Sequence, residues 1–258
     1  MCSSDLLAMT IESFLRAGIR EFQISVGHVG FYKAICEAAS IYAETEETIR
    51  DFVCTKNYYA ADEVLEQQKK DEKICRIFRD FSTLNGGLDM LSKARIYVEG
   101  IPAAEKAIDR LVEVYDSLKD YGCQQYISFD LSFLSKYDYY TGIIFDGYTF
   151  GSGEAVAKGG RYDSLLSHFG KQSPAVGFVV QVDQLLTALS RQRIPIDIPV
   201  DRILLLYKEG QHHEAVQEAR ILRGEGRNVV LQKIDERFTK EEIEVYAKDR
   251  AFAKVLRI

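Results

Sequence analysis

A chain of 258 residues, 47% hydrophobic and 28% charged, has the composition of a globular protein with one large domain or a medium domain and a small companion. A net charge of −6 excludes nucleic-acid binding through a broad field of Lys and Arg, though not through a small basic patch. No apolar run approaches the ~20 residues of a membrane helix, Met1 opens no basic and apolar leader, and five cysteines without a CxxC pair argue against a disulfide framework or zinc site, so a cytoplasmic location is expected.

In chain order, a helix comes first. Ser4 or Asp5 is its candidate cap, Leu6, Met9, Ile11, Phe14 and Leu15 are its apolar face, and Gly18 is its end. Phe22, Ile24 and Val26 then alternate as a strand that Gly27 is expected to break, before a helix near Phe31. Residues 32–121 read as a helical insertion. Leu84, Leu88, Leu91 and Ala94 trace one face, Ala104, Ile108, Leu111, Tyr115 and Leu118 a second, and Gly86 and Gly87 mark a turn or close approach. No chemical constellation stands out in this region.

Beyond Tyr126 the texture changes. ISFDLSFL (127–134) and TGIIFDGYTF (141–150) read as strands, GSGE as a tight turn and EAVAKGG as the return strand. Asp163 is the candidate cap of a short helix closed by Gly170, followed by the strand PAVGFVVQ and the helix DQLLTALSRQ. Antiparallel strands with late helices predict an α+β core over residues 1–194 rather than a doubly wound sheet. After a linker bracketed by Pro195 and Pro199, strands DRILLLY, NVVLQ and AKVLRI alternate with helices 211–225 and 240–248. That pattern predicts a small βαβαβ unit with a parallel sheet over residues 201–258, which is expected to lean on the rest of the chain or on a partner. Of the four histidines (His28, His168, His212, His213), the adjacent pair falls on a polar helix start, where solvent exposure is expected rather than a metal.

Three segments carry the candidate site: SKYDYYTGIIF (135–145), KGGRYDSL (158–165) and PAVGFVVQVDQL (174–185). Tyr139 and Tyr140, read as neighbours in a strand, should point to opposite faces, leaving one of them for any one pocket. They are either ligand contacts, since a phenol can donate to or accept from an imidazole, or two core aromatics. Gly159 and Gly160 remove Cβ atoms where a ligand or backbone must come close, or mark a β-bulge. Arg161 pairs with a carboxylate in the sheet or reaches the pocket, the former being expected.

In order and spacing these segments resemble the core of class II histidyl-tRNA synthetases, and the resemblance runs along the whole chain. It implies a class II antiparallel sheet with a helical insertion and a trailing α/β unit, and histidine binding at Tyr139, Tyr140, Gly159, Gly160 and Arg161. Two positions depart from it. Where the synthetases carry an arginine three residues before the Asp of Asp-Tyr-Tyr, this sequence has Ser135. Where their last motif ends Gly-Leu-(Asp or Glu)-Arg-Leu, it has Gln181-Val182-Asp183-Gln184-Leu185, so Gln184 replaces the second arginine. Guanidinium groups there would stabilise the charge that gathers on ATP during amino-acid activation, and a hydroxyl or an amide cannot.

This pattern of losses resembles the regulatory subunits of ATP phosphoribosyltransferase. The resemblance implies no catalytic residue, cofactor or metal. It also implies a short-form ATP phosphoribosyltransferase catalytic subunit as partner, L-histidine as inhibitory effector, self-association, no membrane and no specific tRNA binding. The rival reading, a histidine–tRNA ligase, needs both arginines and a longer anticodon-binding domain than residues 201–258 supply. An ATP-dependent ligase without tRNA fails at the same two positions. The first and second class II motifs have no counterpart, so a fragment or a misplaced gene start is expected.

Overall fold

The computed structural model describes residues 3–135, 139–196, 202–235 and 237–258. They form two compact units that divide after Pro195.

The first unit opens with α1 (Ser3–Arg16), so Ser4 and Asp5 lie within its first turn rather than ahead of it. Its far end closes as the glycine predicts. Gly18 has φ +91°, its N–H reaches the Leu15 carbonyl, and the Ile19 N–H reaches the Phe14 carbonyl at 3.0 Å. Phe14 and Ile19 share one apolar cluster, which completes a Schellman cap.

Strand β1 (Phe22–His28) runs through Gly27 instead of breaking there. The glycine serves a close approach: a Cβ would lie 3.0 Å from the Asp130 carbonyl oxygen and 3.1 Å from the Phe133 Cβ. Helix α2 (Val29–Ala38) therefore starts at once, capped by the preceding residue, whose His28 Nδ1 accepts from the Gly30 N–H at 3.1 Å.

The helical region continues through α3 (Ala43–Cys54), α4 (Tyr58–Gln67), α5 (Glu72–Arg79), α6 (Leu88–Tyr97) and α7 (Pro102–Asp120). It is not wholly helical, because Asn85–Gly86 forms a short strand, β2, that joins the main sheet. Pro102 starts α7 where no N–H is needed. Ala104, Ile108, Leu111 and Leu118 are buried along one stripe of that helix, and Tyr115 packs partly buried against the core. Truncating Leu111 to Ala is expected to cost about 2–5 kcal/mol.

The remaining strands are β3 (Ile127–Asp130), β4 (Ile143–Thr149), β5 (Ala157–Arg161) and β6 (Val176–Val180), followed by α8 (Val182–Arg191). The sheet order is β2-β3-β1-β4-β5-β6, antiparallel throughout except for the parallel pair β1/β3. This is the α+β architecture that the sequence predicts. ISFDLSFL yields a strand of only four residues because the chain turns at Leu131 and Ser132. GSGE is part of a longer loop, residues 150–156. Asp163 does not cap the following 3₁₀ turn (Leu165–Phe169), because its carboxylate is engaged by Arg161, while Gly170 closes that turn at φ +78°.

Side chains alternate across the sheet. Ile24, Val26, Ile127, Phe129, Ile143 and Phe145 face the helices and the core. The other face presents Ser25, Ser128, Asp130, Asp146 and Lys158, and it holds the cleft described below.

The second unit is a parallel sheet in the order β8-β7-β9, made of β7 (Arg202–Tyr207), β8 (Asn228–Lys233) and β9 (Lys254–Arg257). Ile203 and Leu205 pack with Ala219 of α9 (His212–Gly224), and Leu204 and Leu206 pack with Ile243 of α10 (Lys240–Asp249). A central strand that is apolar on both faces, here from Ile203 to Leu206, is what helices on both faces require. Thr239 and Glu242 form a reciprocal capping box at α10, and His212 and His213 are exposed.

Burial, then the Arg110 guanidinium, hold His28 down from the ordinary 6.5 to about 4. Between those values the unfolded chain binds one more proton than the folded chain. The stability is fully present above pH 6.5 and is lost as pH falls through 4, with a limiting slope of about 1.4 kcal/mol per pH unit. His28→Asn keeps a capping acceptor but does not titrate, so it should flatten this part of the pH profile. Urea midpoints between pH 7 and 4 test this, and identical slopes for the two proteins would contradict it.

Candidate functional site

A cleft of about 730 Å³ lies over β4, β5 and β6. Its rim is the chain segment after β3, where Phe133, Leu134 and Ser135 line it. That segment is held by charge and by hydroxyl groups. Asp130 Oδ1 accepts from the Ser132 N–H at 2.9 Å and from its hydroxyl at 2.6 Å. The Lys56 ammonium donates to Asp130 Oδ2 at 2.9 Å and to Ser132 Oγ at 2.8 Å, and the Tyr58 hydroxyl stands 2.8 Å from the same Oγ. Burial opposes the Lys56 charge, but the Asp130 carboxylate and Tyr58 together more than offset it, and the ammonium pKa is raised. Lys56 and Tyr58 flank the turn between α3 and α4, so the helical region sets the position of Ser135.

Lys136, Tyr137 and Asp138 lie outside the described residues. Tyr139 and Tyr140, contrary to the expected strand placement, precede β4 in a turn and both line the cleft. Free of strand alternation, their rings pack together with centroids 4.4 Å apart. Tyr162 packs edge-on to both, 5.7 Å from Tyr139 and 6.2 Å from Tyr140. The segment is anchored just beyond the pair, where the Thr141 N–H donates to the Arg161 carbonyl at 2.8 Å and the Thr141 hydroxyl accepts from the Asp163 N–H at 3.0 Å. Burial, and after it the hydrogen bond with Tyr139, raises the pKa of the Tyr140 phenol, so it stays protonated at neutral pH.

Gly159 and Gly160 sit in regular pairing with β4 and β6, so no bulge occurs. A Cβ on Gly159 would come within 2.6 Å of both Phe145 Cζ and Phe178 Cβ. One on Gly160 would come within 2.6 Å of the Ile143 carbonyl oxygen and 2.7 Å of Tyr140 Cε1. The close approach that these glycines permit is thus that of the protein's own rings, with Gly159 also lining the cleft. Arg161 turns aside: its Nε donates to Asp163 Oδ2 at 2.7 Å, the carboxylate pairing expected of it. Gln184 lies half-buried in the first turn of α8 and is not part of the lining, whereas Gln181 is.

The floor carries two charged residues that motif reading passed over. Asp146 of β4 and Lys158 of β5 are direct cross-strand partners, and both line the cleft. Burial raises the Asp146 pKa against the opposing pull of Lys158 and Tyr148. Tyr148, whose hydroxyl donates to Asp146 Oδ2 at 3.2 Å, is itself pushed up to about 12, by burial first and the Asp146 charge second. A charged residue in the apolar run IIFDGYT and a Lys before the paired glycines were the available signals. Neither shows its partner until the β4–β5 register is known. Among the described residues no three His, Cys, Asp or Glu side chains converge as a metal site.

The family model of histidyl-tRNA synthetase matches residues 3–185. The ATP phosphoribosyltransferase regulatory subunit of Thermoanaerobacter pseudethanolicus is 36% identical over 228 residues, which are 88% of this chain and 60% of that protein. This chain therefore spans about three-fifths of that relative's length. A crystal structure titled as an ATP phosphoribosyltransferase regulatory subunit/histidyl-tRNA synthetase from Bacillus halodurans superposes with TM-score 0.72 at 27% identity, covering 98% of this chain and 63% of that one. Histidyl-tRNA synthetase from Nostoc sp. PCC 7120 superposes with TM-score 0.70 at 18% identity, covering 97% and 62%. The fold is the class II synthetase fold of these structures.

The glycine contacts generate a stability prediction. Gly160→Ala forces its new methyl against a carbonyl and the Tyr140 ring, and it should cost about 1–3 kcal/mol. Gly153→Ala, with nothing within 4 Å of the added atom, should stay within about 0.5 kcal/mol of the parent. Equal shifts in their denaturation midpoints would refute the close-approach argument.

Proposed function

Because the chain belongs to the histidyl-tRNA synthetase family, together with the ATP phosphoribosyltransferase regulatory subunits, we propose that it acts as such a regulatory subunit in histidine biosynthesis. In this reading it is cytoplasmic, self-associates and joins a short-form catalytic subunit, which performs the transfer between ATP and phosphoribosyl pyrophosphate. It catalyses no aminoacylation and mediates inhibition by L-histidine. The core, residues 1–194, holds the effector site at Tyr139, Tyr140, Gly159 and Gly160, with Arg161 bracing the strand end through Asp163 rather than touching the effector, and the unit at residues 201–258 binds no specific tRNA.

One observation carries the reading. The cleft keeps its two phenols and a buried carboxylate, yet Ser135 lines it where the synthetases have an arginine, and Gln184 stands for the second. Such a lining suits holding an amino acid more than stabilising the charge of a phosphate under attack. A ligand that prefers one conformation of such a site shifts the equilibrium by its differential affinity, which is what feedback inhibition requires.

Mixing the protein with a short-form catalytic subunit should give a complex with phosphoribosyltransferase activity that L-histidine inhibits. Failure to associate or to raise activity would overturn the assignment. The protein alone should not exchange pyrophosphate into ATP with histidine, and exchange at a synthetase-like rate would favour the rival histidine–tRNA ligase.

Within the complex, Tyr139→Phe or Tyr140→Phe removes one hydroxyl at little packing cost. If that hydroxyl bonds the effector, inhibition should weaken by about 1–2 kcal/mol, or roughly tenfold in concentration, with basal activity near normal. Unchanged inhibition in both variants would remove the tyrosines from the effector site.

A further inference from the structure

Among the described residues that line the cleft, Lys158 is the one cation and Asp146 the one carboxylate. They stand directly opposite each other on β5 and β4, yet Nζ and Oδ2 are 3.8 Å apart. A closed ammonium–carboxylate hydrogen bond measures about 2.7–2.9 Å, so this pair is held in proximity without being closed. The two partners also differ in environment. The Asp146 side chain is 12% exposed and already accepts from Tyr148, whereas the Lys158 side chain is 44% exposed, and both line the cleft. Arg161, the next cation along β5, is committed to Asp163. Among the described residues, a carboxylate entering the cleft therefore meets the Lys158 ammonium, and a ligand ammonium or ring N–H meets the Asp146 carboxylate beside it.

We propose that Lys158 anchors the carboxylate of the ligand while Asp146 receives its N–H groups, so that the cleft selects a zwitterionic amino acid over the same molecule without a carboxylate. This rests on reading the cleft as a histidine site, and it assigns to β5 the charge recognition that Ser135 cannot provide. The bound ligand meets the pair from the open side of the cleft, its carboxylate on the Lys158 ammonium and its N–H groups on the Asp146 carboxylate, so that opposite charges alternate.

Calorimetric titration of the full chain with L-histidine and with L-histidinol, which has a hydroxymethyl group in place of the carboxylate, tests the assignment. The parent protein should prefer histidine at least tenfold. Lys158→Met and Lys158→Gln should each abolish that preference by weakening histidine, with histidinol binding changed less than twofold. Lys158→Arg should retain the preference, and Asp146→Asn should weaken both ligands together. Two neutral variants and the charge-retaining one, each checked by thermal melting, separate loss of charge from loss of fold. Variants that melt like the parent and keep the preference would overturn the role of Lys158 alone. A parent chain that binds neither ligand would overturn it together with the reading on which it rests.

Discussion

Two consecutive residues of β5 without Cβ atoms, Gly159 and Gly160, allow aromatic rings to lie against both faces of one strand. On the core side Phe145 presses onto Gly159, and on the open side Tyr140 presses onto Gly160. The spacing leaves no room for a methyl group on either face. Tyr140 in turn supports Tyr139 and Tyr162, so the aromatic wall of the cleft rests on the bare backbone of β5. A bulge would have given the same glycine pattern with a different outcome. Regular pairing keeps Lys158 in register with Asp146, and a slip of β5 by one residue would send the Lys158 side chain to the core face.

The opposite rim depends on the helical region. Asp130 ends β3 with a carboxylate that ties down the following turn through Ser132 and draws in Lys56 from the α3–α4 turn. Lys56 adopts a positive φ of 58°, a conformation that costs a non-glycine residue of order 1 kcal/mol and is repaid here by two hydrogen bonds. Residues more than 70 positions apart in sequence are thereby linked, and the segment that leads to Ser135 is tied down at Asp130 and Ser132.

Electrostatically the cleft is sparse. One buried carboxylate, one half-exposed ammonium and several hydroxyl groups line it among the described residues. Neutral groups of this kind orient a ligand by hydrogen bonds but supply little field to a developing charge, whereas guanidinium groups supply much. Ser135 adds a hydroxyl to that lining and no formal charge.

Local sequence was enough to determine the helix ended by Gly18, the apolar stripe of α7, the presence of strands β3 to β6 and the α/β alternation after Pro195. In each case the cause is short-range: side-chain period, capping and the φ that glycine allows. The three segments of the site were legible as segments for the same reason. Where those segments meet was decided only by tertiary structure. Tyr139 and Tyr140 share one cleft because the chain turns before β4, held by Thr141 against Arg161 and Asp163, which strand alternation could not foresee. Gly27 lies inside a strand because Asp130 and Phe133, far along the chain, cross over it. Asp146 and Lys158 became partners through a register set across a seven-residue loop, and Lys56 reached Asp130 through the packing of α3 and α4. Charge pairs of this kind join distant residues through backbone pairing and helix packing, and one-dimensional periodicity carries no record of either.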